Sequence, residues 1–340
     1  MLKNYAIIHQ KNNTMQTLVP PTKRIIRINA SALKISACPL AFYYTVVEGY
    51  AKPINDVSVE FGSALHLFLS TMYKTEGRVD LATEASRTYF ETTKMYVPYN
   101  KKYLDTLHLC RTNFQAWEYV QSHNDFQVIK GADGKPAVEI TFSNPFYEDE
   151  YVEVRLEGTI DKIGKIVNGI YCIADYKSTS SRDIEEYFRG YELSTQLKFY
   201  VYNLLLFAKL HPDSLVAEVC KNQVGAFIEG IFLNGKDKTE FARSRIFLFK
   251  EQELNLYKAM LTEKIMQLVD YVKGGMPPYP YGMITDTCSK PEGNSAAWRC
   301  RFFNACSAPD AIAKAHILKD PNQFVKREYK PLENANKSTL

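Results

Sequence analysis

Asp161, Asp175 and Lys177 lie within one stretch, VRLEGTIDKIGKIVNGIYCIADYKSTSS, and together they carry the chemistry of a metal-assisted phosphodiesterase. A hard cation such as Mg2+ or Mn2+ prefers oxygen ligands and keeps several waters, so two carboxylates and one backbone carbonyl, that of Tyr176, hold it without stripping it. The bound ion lowers the pKa of water and stabilises charge developing on phosphorus. An ammonium two residues beyond the second carboxylate, Lys177, then orients the nucleophile and the scissile phosphate. The same Asp-Tyr-Lys is also what a solvated strand end with an incidental ion pair looks like, and a tripeptide by itself does not separate the two.

The elements that must position these groups are legible in the periodicity. Val152, Val154, Leu156, Gly158 and Ile160 alternate with Glu153, Arg155, Glu157, Thr159 and Asp161, which predicts a strand with Asp161 on its polar side. Tyr171 to Lys177 also has period two, so Asp175 and Lys177 share one side and Tyr176 takes the other. Asn168-Gly169 supplies the turn between the strands. Downstream, Leu193 to Leu210 has helical spacing through Leu197, Val201, Leu204 and Leu205, and puts Gln196 and Tyr200 one turn apart. An amide and a phenol so placed can hydrogen-bond a phosphate or a base edge, or can simply pack. Upstream, a helix with an apolar stripe of Phe61, Ala64, Leu65, Phe68, Leu69 and Met72 carries His66, a ligand or a boundary residue. Glu139, between Val138 and Ile140, is a weaker ligand candidate and equally an edge-strand charge.

The order GTIDKIG, IADYKS, QLKFY resembles the PD-(D/E)XK nuclease superfamily, and within it the RecB-like exonuclease branch with its CRISPR-associated and phage members. EFGSALHLFL resembles that branch's Gly-x-x-x-His helix, which makes His66 a further metal ligand. SALKISACPLAFYY resembles its N-terminal segment and sets Cys38 at the family cysteine. The resemblance implies a restriction-endonuclease-like α/β (α+β) core: a central mixed sheet flanked by helices, an N-terminal helical cap and a cysteine-stapled C-terminus. It further implies a metal-dependent DNA exonuclease in which Asp161, Asp175, His66 and secondarily Glu139 hold Mg2+ or Mn2+, Lys177 acts on the phosphate, and Gln196 and Tyr200 hold the strand.

Cys288, Cys300 and Cys306 fall in TDTCSKPEGNSAAWRCRFFNAC, loop-like sequence where core cysteines are uncommon. With the family cysteine Cys38 they make four thiolates, which the resemblance assigns to a 4Fe-4S cluster. The eleven residues between Cys288 and Cys300 exceed the family's usual two, which keeps Zn2+ in play, since either metal takes four thiolates. Cys110, Cys172 and Cys220 sit in periodic apolar segments and read as core.

Seven cysteines and an N-terminus without a cleavage-site pattern point away from a disulfide framework and toward a reduced bacterial cytoplasm, cellular or phage-encoded. With 46% hydrophobic residues the chain can bury a large core, yet no apolar run is long enough for a membrane. A net charge of +4 permits nucleic-acid binding without dictating it, so affinity for DNA must come from local charge. The expected organisation is a basic N-terminal extension over 1–30, one nuclease domain over 31–310 and a tail over 311–340. The domain divides into a helical cap near 60–125, a catalytic core near 127–275 and a cysteine segment over 286–306. Helices are expected over Leu81 to Met95, Tyr103 to His123 and Glu251 to Lys273, and strands near Gln127 to Lys130, Ala137 to Phe142, Val224 to Leu233 and Arg243 to Phe249. Without a Gly-x-x-x-x-Gly-Lys-Ser/Thr loop the chain does not drive unwinding itself, so helicase activity would come from a recombination partner. Two other readings stay open: an endonuclease of the same fold, and a non-catalytic nucleic-acid-binding subunit with a structural four-cysteine site.

Overall fold

The computed structural model describes residues 23–53, 57–94, 105–123, 125–131, 133–233, 239–274, 300–327 and 338–339. Among them the sheet strands are β1 (Arg24–Ile28), β3 (Phe126–Val128), β4 (Val138–Glu148), β5 (Val152–Ile166), β6 (Tyr171–Thr179), β7 (Val224–Leu233), β8 (Thr239–Arg243), β9 (Phe247–Leu248) and β11 (Ser338–Thr339). They form one mixed sheet ordered β11-β4-β5-β6-β7-β8, with β1 and β3 on β5 and β9 on β7. A small ladder pairs β2 (Tyr50–Ala51) with β10 (Val325–Lys326). The described helices are α1 (Ala30–Ile35), α2 (Pro39–Phe42) continued by a π-helical turn over Tyr43–Val47, α3 (Val57–Lys74), α4 (Val79–Lys94), α5 (Thr106–Ser122), α6 (Ile184–Arg189), α7 (Thr195–Leu210), α8 (Leu215–Val219), α9 (Glu251–Val272), α10 (Phe303–Cys306) and α11 (Ala311–Lys319). The expected mixed sheet flanked by helices is therefore the fold.

β5 is the spine of the sheet. Its even residues Val152, Val154, Leu156 and Ile160 are buried while Glu153, Arg155, Thr159 and Asp161 are part-exposed, as the alternation requires. Glu157 is the exception, buried beside Arg27 and accepting from the Ser143 hydroxyl. Beyond Asp161 the alternation stops, and Lys162, Ile163 and Gly164 are buried in succession. There β5 has neighbours on both edges and apolar cover on both faces. Ile163 enters the cluster of Leu197, Val201 and Leu204 on α7, whereas Ile166 packs with Phe126 and Phe227 in another. The β5-β6 turn closes at Asn168-Gly169, with Gly169 at φ +92°, a conformation that glycine adopts at little cost.

Helices pack on this sheet through two main clusters. Leu197, Val201 and Leu204 of α7 and Leu261, Ile265 and Leu268 of α9 fill the larger one. Leu65, Phe68, Leu69 and Met72 of α3 close over Tyr176 and Ile231 together with Ala82 of α4 and Ala116 and Val120 of α5. α7 starts where Ser194 caps it, its hydroxyl accepting the Gln196 amide at 3.2 Å. That start fixes where Gln196 lies.

Two local expectations change. Arg24–Ile28, expected in a basic extension, is a strand parallel to β5 in the register Ile26↔Val154, with Ile26 and Ile28 in the core. The strand expected over Arg243 to Phe249 is two, because Ser244 steps out of the regular ladder: its amide donates to the Ile228 carbonyl and its hydroxyl accepts the Ile228 amide, each at 2.9 Å. The chain rejoins β7 at Phe247.

Candidate active site

Three strands and one helix bring the acidic and imidazole groups together. Glu139 on β4 falls between the pairs Val138↔Lys162 and Ile140↔Ile160, which sets it across from Asp161 on β5. One step beyond Lys162↔Ala174, the β5-β6 register brings Asp161 alongside Asp175. His66 reaches the same place from α3. The helix comes that close because its residue 62 is glycine: a Cβ there would sit 3.0 Å from the Ser178 hydroxyl at the end of β6.

The contacts divide this set into two groups. His66 Nδ1 lies 3.2 Å from Asp161 Oδ1, and His66, Glu139 and Asp161 each offer a ligand atom within 4.8 Å of the others. Asp161 Oδ2 also accepts the Tyr176 amide at 2.6 Å, so the carboxylate is locked to the neighbouring strand. Asp175 forms an ion pair with Lys177 and accepts from Gln196 Nε2 at 3.2 Å. The Tyr176 carbonyl accepts from Lys177 Nζ at 3.3 Å. Gln196 Nε2 also donates to the Tyr200 hydroxyl at 3.1 Å, and Gln196 Oε1 accepts from Lys34 Nζ at 3.3 Å.

Electrostatics follow from crowding. Burial pushes the Glu139 carboxyl up and the Asp161 charge pushes it further, to about 7. Burial works against the His66 cation, but Asp161 outweighs it and lifts the imidazole to about 9. Burial raises Asp175 against the pull of Lys177, and Lys177 itself is raised because Asp175 outweighs its desolvation. Lys34 is lowered, first by burial and then by the Lys177 ammonium. Carboxylates this close repel one another until a cation sits among them. Two carboxylates and an imidazole suit Mg2+ or Mn2+, so the donor set fits a divalent ion.

Of the expected residues, His66, Asp161, Asp175, Lys177, Gln196 and Tyr200 converge here with the Tyr176 backbone. Glu139, the weaker expectation, stands in the closest donor group. Lys34 escaped the sequence reading, since a single lysine on a short helix has no motif around it. At the far end, Cys38, Cys300 and Cys306 pack into one cluster with Tyr44, Phe302 and Phe324, whereas Cys288 lies outside the described residues. Cys172 is buried, while Cys110 and Cys220 are part-buried. No described helix is long and apolar enough to cross a membrane.

Residues 27–289 match the family model described as the PD-(D/E)XK nuclease superfamily. Among solved structures, the chain is similar to a crystal structure from Eubacterium rectale that carries a provisional exonuclease name, at 11% identity and a TM-score of 0.44, over 79% of this chain and 90% of that one. It is also similar to the structure of SSO0001, at 12% identity and a TM-score of 0.25, over 70% of this chain and 82% of that one. No curated protein matches the chain in sequence.

Proposed function

Because this chain belongs to the PD-(D/E)XK nuclease superfamily and is a nuclease by that membership, we propose that it is a divalent-metal-dependent DNA exonuclease of the RecB-like type. The observation that carries the reading is the donor group of His66, Glu139 and Asp161 set beside the Asp175-Lys177 ion pair. When bound, Mg2+ or Mn2+ supplies Lewis-acid stabilisation of charge on the phosphate and acidifies water. His66, Glu139 and Asp161 would hold it, with Asp175 and the Tyr176 carbonyl on the next strand as further ligands. Lys177, fixed by Asp175 and the Tyr176 carbonyl, presents its ammonium to the phosphate oxygens, where charge grows as the bond breaks. Gln196 and Tyr200 keep Asp175 oriented toward the strand.

Cys38, Cys300 and Cys306, each part-buried against one apolar cluster, are with Cys288 the four thiolates of a further metal site in this reading. We assign it to a 4Fe-4S cluster, with Zn2+ as the alternative. Anaerobic purification should give a brown protein with stoichiometric iron and sulfide; a colourless, zinc-loaded protein would remove the cluster. The biological setting consistent with this reading is processing of DNA ends in the cytoplasm beside a helicase or recombination protein, in a bacterial cell or from a phage genome.

The deciding experiment incubates end-labelled linear single- and double-stranded DNA and covalently closed circles with the protein in Mg2+ or Mn2+, beside Asp161→Asn. Linear substrates shortened from their ends with circles intact is the expected result. Cleaved circles would make it an endonuclease. Equal digestion by parent and variant, or none by either, would leave a binding subunit.

A further inference from the structure

A second ammonium reaches the catalytic carboxylate through an amide whose orientation is chemically fixed. Gln196 is 8% exposed, and its Nε2 makes two contacts, to Asp175 Oδ1 at 3.2 Å and to the Tyr200 hydroxyl at 3.1 Å. An ionised carboxylate only accepts, so the nitrogen side of the amide must face Asp175. The carbonyl side must then face a donor, and that donor is Lys34 Nζ at 3.3 Å, from α1 in the same segment as Cys38. The two protons of Nε2 are committed to Asp175 and Tyr200, so Gln196 has no further N–H to offer a strand.

Around Gln196 the nearest charges do not pair one to one. Asp175 carries one negative charge and already pairs with Lys177, while Lys34 brings a second positive charge held by a neutral oxygen. The two ammonium groups work against one another, an arrangement that a polyanion relieves. Asp175 is 2% exposed, whereas Lys34 is an exposed residue whose ammonium alone is partly desolvated where it leans on Gln196. An anion arriving from solvent therefore meets Lys34 before it meets the buried carboxylate.

We propose that Lys34 is a phosphate-binding residue of this nuclease site, aimed by Gln196 onto a backbone phosphate next to the bond that is cut. The inference rests on the nuclease reading and assigns the strand contact there to Lys34. Its competitor is purely structural: Lys34 lies in the last turn of α1, where a cation favours the helix C-terminus. That role would affect stability and leave strand binding alone.

The test uses the full chain with Lys34→Ala, Lys34→Gln and Lys34→Arg, each first checked for a melting curve superimposable on the parent. Binding of a fluorescein-labelled oligothymidine is followed by anisotropy in EDTA, where nothing is cut, across a range of salt. Removing one phosphate contact should lower the slope of log K against log salt by about 0.7. In Mg2+ the KM should rise about tenfold, the loss of one charge-assisted contact, with a much smaller fall in kcat. Arginine should restore both. Parental slope and KM in Lys34→Ala and Lys34→Gln would overturn the proposal while leaving the nuclease reading intact. A parent that cuts nothing in Mg2+ or Mn2+ would sink the nuclease reading, and the salt slope would still decide whether Lys34 holds phosphate.

Discussion

Two lysines on adjacent strands have opposite circumstances. Lys177 is 24% exposed at a site open to solvent, paired with Asp175. Lys162, the residue after Asp161, is 1% exposed and bonds Glu229 Oε2 at 2.6 Å, with Glu229 Oε1 taking Arg243 at 2.8 Å and Arg243 reaching Asp125 at 2.8 Å. The rings of Tyr176, Phe126 and Tyr73 surround the Lys162 ammonium, the nearest centroid at 4.5 Å. Tyr176 joins the two regions. Its ring belongs to the closed network, while its amide holds Asp161 and its carbonyl accepts from Lys177. A charge network closed by aromatic rings fixes a strand, and one left open on one side awaits a ligand.

The comparison sorts variants by what they should damage. Lys177→Ala and Asp175→Asn should each lower kcat by about 10²–10³ or more, the cost of losing a group that meets developing charge. Asp175→Asn, which removes a buried carboxylate instead of leaving one unpaired, should change the melting temperature little. Initial rates on labelled DNA, set beside thermal melts, check both halves. Lys162→Ala should do the reverse. It leaves Glu229 buried with Arg243 alone, costing about 3 kcal/mol of stability, visible as a shift in the urea midpoint. Lys162→Met combined with Glu229→Gln should recover part of that loss, since the uncompensated charge is gone. If Lys162→Ala instead removes activity at unchanged stability, the division between a closed and an open network fails.

Glu139 sharpens the boundary between the regions because it carries strain. Its φ is +52°, left-handed backbone that costs a non-glycine residue about 1–2 kcal/mol. Glu139→Gly should leave the protein at least as stable under urea while raising the Mn2+ concentration for half-maximal rate about tenfold, the scale of a weakened metal shell. Lower stability in this variant would mean that the carboxylate serves packing.

What could be read from the chain follows the range of the forces involved. The β5 and β6 strands, their Asn168-Gly169 turn and the α7 helix are written in local periodicity, and they appear where the alternation and the three-four spacing put them. His66 and Gln196 were found through motif resemblance, because nothing in a helical stripe distinguishes a ligand from a boundary residue. Lys162 and Glu229 were illegible, since charged residues are expected outside and their partner lies on a strand far along the chain. β1 was hidden for the same reason: RIIRI is short, and its pairing with β5 crosses more than a hundred residues. Lys34 acts through a contact of equal reach.

A third ion pair, more exposed than those of Lys177 and Lys162, gives the smallest effect. Glu48 Oε2 meets Lys326 Nζ at 3.1 Å, with side chains 29% and 60% exposed, so water reaches one partner freely. Burial alone would raise the Glu48 carboxyl, but Lys326, with help from Tyr43, holds it below its ordinary value. A carboxyl depressed on folding stabilises the protein above its unfolded pKa, and the contribution fades as pH falls through the folded value. Because Lys326 is open to solvent, the effect should be a few tenths of a kcal/mol, roughly the range of exposed pairs. Glu48→Gln should therefore differ from the parent by that small amount near neutrality and not at all in acid, and added salt should narrow the gap further. A difference as large as that of Lys162→Ala would show that exclusion of water is not what separates these pairs.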